Sequence, residues 1–147
     1  MAIPQTGRIL AVDWGERRIG LALSDETQTI ASPLGTLTRR AGKRFPMPAF
    51  VEHLATHRPV GLVVGLPLTP EGAEGPSTLA ARELAARLGA RTYLPVELVD
   101  ERMTTARAHA AIREQDGSTR GRREEVDALA ATILLQHFLE TRRHGRI

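Results

Sequence analysis

The pattern of apolar and polar positions predicts a chain that builds a sheet first and adds helices later. Three short apolar segments separated by turn residues come first and predict an antiparallel meander: 8–12, 19–24 and 30–37. The third segment contains Pro33, which cannot donate a hydrogen bond to a neighbouring strand. We therefore expect that segment to lie at an edge of the sheet.

The second half of the chain alternates helical periodicity with short, fully apolar runs. The periodicity predicts four helices, at 48–57, 78–88, 104–115 and 124–142, and the runs predict two strands, at 61–65 and 96–99. Ser77 and Thr104 are the expected caps of the second and third helices, and Gly89 is the expected end of the second. Strand, helix and strand at this spacing imply parallel neighbours joined by right-handed crossovers. The fold class is therefore α/β, with a mixed sheet in which parallel strands extend the meander.

An acidic residue stands at the end of two of these strands. Asp13 follows the first strand, and Glu101 follows Asp100 after the last one. Ionised carboxylates are rarely buried unless they are paired or bind a cation. The carboxyl ends of parallel strands share one edge, where open α/β sheets bind ligands, so we expect Asp13 and Glu101 to share one crevice. The alternatives are a turn capped by Asp13 and, at the second position, a local ion pair with Arg102 or Arg107.

A third candidate acid lies in the last predicted helix. The apolar stripe of that helix recurs every three to four residues, and Asp127 falls within it, whereas Glu124 and Glu125 precede it. The helix dipole favours a carboxylate in the first turns by about 0.3 to 1 kcal/mol, which is the alternative explanation. The place of Asp127 in the apolar stripe indicates instead that it lies near the sheet, beside the other two acids.

Three carboxylates in one crevice repel one another strongly. At an effective dielectric constant near 20, two of them about 4 Å apart repel by roughly 4 kcal/mol, so a cation is expected to join them. Ligand sets made only of oxygen atoms select hard ions, which indicates Mg²⁺ or Mn²⁺. Such sites hold two ions when substrate is bound and cleave phosphodiesters by activating water and stabilising the leaving oxygen. Asp13, Glu101 and Asp127 are therefore both the candidate metal ligands and the candidate catalytic residues.

The length and composition of the chain exclude several classes of protein. At 147 residues the chain suits one domain over 1–147 and is too short for two lobes that close on a nucleotide. It has no cysteine, no secretion signal and no apolar stretch of membrane length, which fits a cytoplasmic protein that does not enter membranes. The formal charge is +3, and Lys43 is the only lysine, so the basic character comes from arginine.

Arginine side chains flank each of the three acids in the sequence. Guanidinium binds phosphate in a fixed two-pronged geometry, so this arrangement favours a partner that carries phosphates. The candidate nucleic-acid contacts are Arg17, Arg18, Arg102, Arg120, Arg122 and Arg123. The last three belong to a polar, glycine-containing segment at 116–123, which we expect to be a mobile loop that clamps substrate. Trp14 is expected to pack at the rim of the site, with stacking on a base as the alternative.

Four segments closely resemble, in order and spacing, the motifs of the bacterial YqgF or RuvX family: A-V-D-W-G-E-R-R-I-G-L-A-L-S-D, V-V-G-L-P-L, D-E-R-M-T-T-A-R-A and V-D-A-L-A-A-T-I-L-L-Q-H-F-L. The resemblance implies a ribonuclease H-like fold with a mixed five-stranded sheet flanked by helices. It also implies acidic metal-binding residues at Asp13, Glu101 and Asp127. Trp14 stands where Tyr or Phe is more usual, and P-L-T-P-E-G-A-E-G replaces a loop that more often has an Asn and an Asp-Gly-Thr. Neither departure touches an acid.

Members of that family are described as nucleases that mature the 5′ end of pre-16S ribosomal RNA and as Holliday junction resolvases. The sequence therefore predicts a metal-dependent nuclease, with RNA favoured over branched DNA and with ribosomal precursor particles as candidate partners. Junction resolution needs a stable two-fold dimer, and no heptad seam predicts one, so a monomer and a homodimer both stay open. The alternative class is a nucleic-acid-binding module without catalysis, which would be expected to lack one of the acids. A sugar-kinase or actin-like ATPase shares the core but needs a second lobe.

Overall fold

Five strands and three helices form the part of the protein that a computed structural model describes. The structure describes residues 2–14, 18–39, 44–68, 71–101 and 123–144, and of 123–127 and 144 it describes the backbone alone. In chain order the elements are β1 Ile9–Trp14, β2 Arg18–Ser24, β3 Ala31–Thr38, α1 Met47–His57, β4 Gly61–Leu66, α2 Pro76–Thr92, β5 Val96–Asp100 and α3 Arg123–His144. The helix predicted at 104–115 lies outside the described residues, and so does the loop predicted at 116–123 apart from Arg123, which begins α3.

The strands form one sheet in the order β3-β2-β1-β4-β5. β1 pairs with β2, and β2 with β3, in antiparallel fashion, whereas the β1–β4 and β4–β5 pairs are parallel. This is the mixed sheet that the sequence predicts, and Pro33 lies on the edge strand β3 as expected. The parallel half aligns the carboxyl ends of β1, β4 and β5, and we call this side of the sheet the carboxyl edge.

Helices cover both faces of the sheet, because its strands direct successive side chains to opposite faces. In β1, Leu10 packs with residues of α1 and α2, whereas Ile9 packs with residues of α3. Continued along the strand, the alternation assigns Asp13 to the α3 face and Trp14 to the face of α1 and α2. Trp14 indeed packs against the α1–α2 core.

Four strands, β1, β3, β4 and β5, end one or two residues later than the sequence predicts. Asp13 and Trp14 both belong to β1, because they pair with Gly20 and Ile19 of β2. Asp13 is therefore a residue of the strand itself, and the predicted strand end before it is wrong. β5 likewise continues to Asp100, which pairs with the last residue of β4.

The start of α2 differs from the prediction. Its N-cap is Gly75 and its first residue is Pro76, so the prediction that Ser77 caps the helix is wrong. Proline suits the first position of a helix because its fixed φ is already helical. An N–H at this position has no acceptor within the helix, so nothing is lost by its absence. The hydroxyl of Thr78 accepts a hydrogen bond from the Gly75 N–H at 3.1 Å and donates one to the Pro67 carbonyl at 2.5 Å. These two bonds tie the segment after β4 to the start of α2.

The end of α2 also differs, since the helix continues through Gly89 to Thr92. It ends where Tyr93 takes the left-handed conformation, with a φ of 61°, and donates its N–H to the Gly89 carbonyl at 2.9 Å. Glycine inside a helix costs about 1 kcal/mol relative to alanine, which the packing of α2 outweighs. Helices α1 and α3 match the predicted segments to within two residues at each end. No helix in the described part of the chain is long and apolar enough to cross a membrane.

Asp25 organises the turn between β2 and β3. Its Oδ1 accepts hydrogen bonds from the backbone N–H groups of Thr29 at 2.8 Å and Ile30 at 3.0 Å, and its Oδ2 accepts one from the Thr27 hydroxyl. The Thr27 hydrogen bond, followed by that of Ile30, lowers the pKa of Asp25 from 3.8 to about 2. The folded turn therefore stabilises the ionised carboxylate.

We expect Asp25 to stabilise the fold above about pH 4 and to lose this effect as the pH falls towards about 2, because its folded pKa lies below its unfolded one. Urea unfolding of Asp25→Asn from about pH 5 to about pH 2 should show a smaller loss of unfolding free energy than wild type, by on the order of 1 to 2 kcal/mol. Glu26→Gln, at an exposed position of the same turn, is the control and should behave as wild type. Equal pH dependence in wild type and Asp25→Asn would contradict this account.

Candidate active site

Asp13 and Glu101 come together at the carboxyl edge, on the face of the sheet that α3 covers. Asp13 lies near the end of β1. Glu101 directly follows β5, and its backbone N–H donates to the Leu66 carbonyl of β4 at 3.3 Å, which extends the ladder by one residue. The structure therefore brings these two predicted site residues into one crevice, with the end of β4 between them.

Gly65 of β4 is the residue that lets the two carboxylates approach. A Cβ placed on Gly65 would press against Oε2 of Glu101 and would lie 3.3 Å from Oδ1 of Asp13. It would also lie 3.3 Å from Cδ2 of Leu134, so α3 forms one wall of the crevice. Any side chain at this position would enter the space that the two carboxylates share.

The oxygen atoms of this crevice suit a hard divalent cation. Asp13 and Glu101 are both only partly exposed, and burial raises the free energy of an ionised carboxylate. Oε2 of Glu101 is buried and accepts no hydrogen bond within the described residues, although Glu101 itself takes part in another interaction. Neighbouring carboxylates are the ligands that Mg²⁺ and Mn²⁺ prefer. The donor set therefore fits the cation that the sequence predicts, and its binding stays a prediction.

The third predicted ligand, Asp127, lies in the first turns of α3, and its side chain is outside the described residues. Along α3, Leu134 lies beside Gly65, whereas the guanidinium of Arg142 donates to the Ile3 carbonyl at 2.8 Å, at the opposite edge of the sheet. The first turns of α3 therefore extend from Gly65 towards the carboxyl edge. Among the side chains that the structure describes, no three acidic, histidine or cysteine residues gather as a metal site. The role of Asp127 therefore stays a prediction.

Of the predicted nucleic-acid contacts, the structure describes the side chain of Arg18 alone. Arg18 begins β2, two residues before Gly20, which pairs with Asp13. Strand alternation therefore puts Arg18 and Asp13 on the same face of the sheet. The other five lie outside the described residues or lack a described side chain: Arg17, Arg102, Arg120, Arg122 and Arg123. Their contacts stay predictions.

Trp14 packs beside the carboxyl edge, but on the opposite face of the sheet from Asp13. Its ring stacks on that of Phe45, with 5.9 Å between the centroids and 25° between the planes. The guanidinium carbon of Arg39 lies 3.9 Å from the centroid of the Trp14 ring. The expected packing of Trp14 is thus observed with protein neighbours, and stacking on a base stays a prediction.

Sequence reasoning missed Gly65 and the neighbours of Trp14. A signal for Gly65 exists, because this glycine ends the predicted buried strand at 61–65, which lies along the chain between the two strands that lead to acids. Strand alternation also puts it on the face of Asp13. No comparable signal marks Arg39 and Phe45, because both lie far from Trp14 along the chain.

Two solved structures share this fold at low sequence identity. RuvC of T. thermophilus, in complex with a Holliday junction substrate, aligns with a TM-score of 0.53 and 19% identity over 93% of this chain and 96% of that chain. The resolvase of Fowlpox virus, in complex with Holliday junction DNA, aligns with a TM-score of 0.56 and 12% identity over 91% and 97%. The sheet order, the helices on both faces and these likenesses define a ribonuclease H-like fold, as the sequence predicts.

Sequence relatives narrow this class to one family. A family model described as "RuvX: Holliday junction resolvase" matches residues 7–141, and the chain belongs to the RuvX family. A protein of Koribacter versatilis (strain Ellin345) is 46% identical over 136 residues, covering 92% of this chain and 88% of that protein. One of Anaeromyxobacter dehalogenans (strain 2CP-C) is 42% identical over 135 residues, covering 92% and 98%. Both carry the name "Putative pre-16S rRNA nuclease". At the level of the family, the chain is a nuclease, a hydrolase that acts on nucleic acids.

Proposed function

We propose that residues 1–147 form one metal-dependent nuclease domain that hydrolyses phosphodiester bonds in RNA, at the 5′ region of the 16S ribosomal RNA precursor. The observation that carries the proposal is the approach of Asp13 and Glu101 around Gly65. Two adjacent carboxylates repel the phosphates of a nucleic acid unless a cation joins them. A module that only binds nucleic acid has no use for such a pair, whereas a metal-dependent nuclease requires one.

In this proposal the carboxylates of Asp13, Glu101 and Asp127 hold Mg²⁺ or Mn²⁺, as two ions when substrate is bound. When bound, the metal would supply an activated water and stabilise charge on the leaving oxygen. Arg18, on the face of Asp13, attracts the substrate backbone to the crevice, and Leu134 shields one wall from solvent. Further phosphate contacts are assigned to the arginines near the three acids: Arg17, Arg102, Arg120, Arg122 and Arg123.

The described surface favours RNA over a four-way DNA junction. Symmetric resolution of a junction needs two active sites on a stable two-fold dimer, which buries a contiguous apolar interface. Among the described residues, the exposed large apolar side chains are Ile30, Leu79 and Tyr93, at 61%, 59% and 84%. They lie on the β2–β3 turn and near opposite ends of α2, so they do not form one patch. A monomer or weak homodimer that trims a flexible RNA end within ribosomal precursor particles fits this surface.

Holliday junction resolution is the second candidate. The description of the family model names this activity, and the solved resolvases RuvC and that of Fowlpox virus share the fold. The names of the curated relatives favour the ribosomal precursor instead. The two substrates make different demands on the protein, so one experiment separates them.

Digestion of three substrates side by side tests the proposed function: single-stranded RNA, pre-16S RNA fragments and a four-way DNA junction, each with Mg²⁺ or Mn²⁺. We expect cleavage of RNA near the 5′ end of the mature 16S sequence, and intact junctions. Asp13→Asn, purified in parallel, controls for contaminating nuclease and should cut none of the three. Paired, symmetric nicks in the junction together with intact RNA would overturn the RNA assignment in favour of resolution.

A further inference from the structure

Three aromatic rings pack together beside the active site, on the opposite face of the sheet. Trp14 stacks on Phe45, and Phe45 in turn packs edge-on against Phe50, with 5.1 Å between their centroids. Phe45 and Phe50 are buried, with 3% and 0% of their surface exposed. The chain has one tryptophan, one tyrosine and three phenylalanines, so most of its few aromatic residues belong to this group. We call Trp14, Phe45 and Phe50 the aromatic platform.

Arg39 lies on the aromatic platform. Its guanidinium carbon is 3.9 Å from the centroid of the Trp14 ring, which is the geometry of a cation–π contact. Arg39 follows Thr38, the last residue of β3, which pairs with Arg18 at the start of β2. The Arg39 side chain therefore crosses the start of β2 to reach the end of β1, and the rigid rings beneath it fix the position of its guanidinium.

A guanidinium stacked in this way is well suited to bind a phosphate. The cation–π contact uses the flat face of the group, whereas its N–H donors point outward within the plane. Hydrogen bonds to a phosphate use those in-plane donors, so the two contacts are compatible. Trp14 directly follows Asp13 in β1. Arg39 is thus held at the same strand end as one of the active-site carboxylates.

We propose that Arg39 binds a backbone phosphate of the nucleic acid, next to the phosphate at Asp13 and Glu101, and that the aromatic platform positions Arg39 for this contact. The inference rests on the proposed function, since it takes a nucleic acid as the substrate. A strand that crosses the carboxyl edge meets the carboxylates on the α3 face and Arg39 on the other face. Trp14 is then a positioning residue that acts through Arg39.

A phosphate contact fits this arrangement better than stacking of a base on Trp14. The guanidinium of Arg39 already covers the ring, and Phe45 packs within stacking distance of it. A base that stacked on the ring face next to Arg39 would have to displace its guanidinium. A phosphate approaches the edge of the guanidinium and leaves its contact with the Trp14 ring intact. The contact would therefore be independent of base identity.

Binding of single-stranded RNA by a cleavage-inactive Glu101→Gln variant tests the role of Arg39. Adding Arg39→Ala should weaken binding about fivefold to tenfold and lower the log–log salt slope by about 0.7, the value for one phosphate contact to a single strand. Arg39→Lys keeps the charge but loses the planar guanidinium and its paired N–H donors, so it should recover only part of the affinity. Arg91→Ala, at an exposed position near the end of α2, is the matched control and should change neither quantity.

Substitution of Trp14 in the same variant tests the platform. Trp14→Leu should cause the same loss as Arg39→Ala, and the double variant should lose no more than either one, because both changes remove one contact. Trp14→Phe keeps an aromatic ring under Arg39 and should bind nearly as well as the Glu101→Gln parent. Circular dichroism and thermal unfolding check that each variant is folded, and Arg39→Ala tests the contact without disturbing the buried rings.

An unchanged salt slope in Arg39→Ala would overturn the inference. So would a loss in Trp14→Leu that disappears when the RNA is replaced by an abasic strand of equal length, because that result indicates stacking on a base. If the Glu101→Gln parent fails to bind RNA and wild type fails to cut it, the proposed function is refuted and this inference with it. RNA binding by the parent with an unchanged slope in Arg39→Ala refutes the role of Arg39 alone.

Discussion

Changing any one of Asp13, Glu101 and Asp127 to its amide is expected to lower the rate of RNA cleavage by about a thousandfold or more. The substitutions Asp13→Asn, Glu101→Gln and Asp127→Asn keep the shape of each side chain and remove the charge that holds the cation. The fold and the binding of RNA should remain nearly intact, because the lost groups repel phosphate when no cation is present. The measurement is kcat on the RNA that wild type cuts, with RNA binding followed separately.

Glu97→Gln is the matched control for these variants. Glu97 is exposed on β5, four residues before Glu101, and its amide should cleave as wild type does. Titration calorimetry with Mn²⁺ should show weaker binding in Asp13→Asn and unchanged binding in Glu97→Gln. EDTA should abolish wild-type cleavage, and Mg²⁺ or Mn²⁺ should restore it. Full activity in any one amide variant would remove that residue from the site, and cleavage that survives chelation would refute the metal mechanism.

A single methyl group at Gly65 is expected to lower activity by about tenfold to a hundredfold, the cost of moving catalytic groups by about 1 Å. The Cβ of Gly65→Ala would press against Oε2 of Glu101 and would lie 3.3 Å from Oδ1 of Asp13. Leu134 keeps the added Cβ from moving towards α3, since its Cδ2 also lies 3.3 Å from that Cβ. The carboxylates must therefore move apart. The variant should lose kcat and Mn²⁺ affinity together while it remains folded.

Gly89→Ala provides the control for a methyl group added elsewhere. Gly89 lies inside α2, and the nearest atom to its added Cβ would be Cγ2 of Val96 at 3.6 Å, an ordinary van der Waals distance. This variant should keep full activity and gain about 0.5 to 1 kcal/mol in the free energy of unfolding, because alanine favours the helix. Equal activity in Gly65→Ala and Gly89→Ala would show that the crevice tolerates a side chain, and would contradict the role assigned to Gly65.

Most of the sheet could be predicted because its strands carry strong local signals. The buried run at 61–65 and the edge proline Pro33 each reflect a physical rule that acts on the strand itself. The ends of α2 could not be predicted in the same way. They depend on Thr78, whose hydroxyl bonds to Pro67, and on the left-handed conformation of Tyr93. Contacts outside the helix therefore override its local cap signals.

The candidate site could be predicted only where sequence position and strand topology coincide. Asp13 and Glu101 meet because parallel strands end at one edge. An acid near the end of each strand is therefore enough to predict that the two lie close together. The distance between the carboxylates of Asp13 and Glu101 depends on Gly65. This residue has no reactive side chain, so only the register of β4 predicts its importance. The face that Trp14 occupies follows from alternation, but its contact with Arg39 depends on how β3 ends, which no local pattern records.

The end of α3 is attached to the residues before β1. Arg142 near its end donates to the Ile3 carbonyl at 2.8 Å and to Oε1 of Gln28 at 2.9 Å, and Gln28 in turn donates to the Pro4 carbonyl at 2.8 Å. Asp127 lies fifteen positions earlier, about 22 Å away at 1.5 Å per residue. A helix is stiff along its length, so we expect loss of the Arg142 contacts to loosen α3, whose first turns hold Asp127, the predicted third ligand. The amino-terminal segment therefore helps to anchor α3 on the sheet.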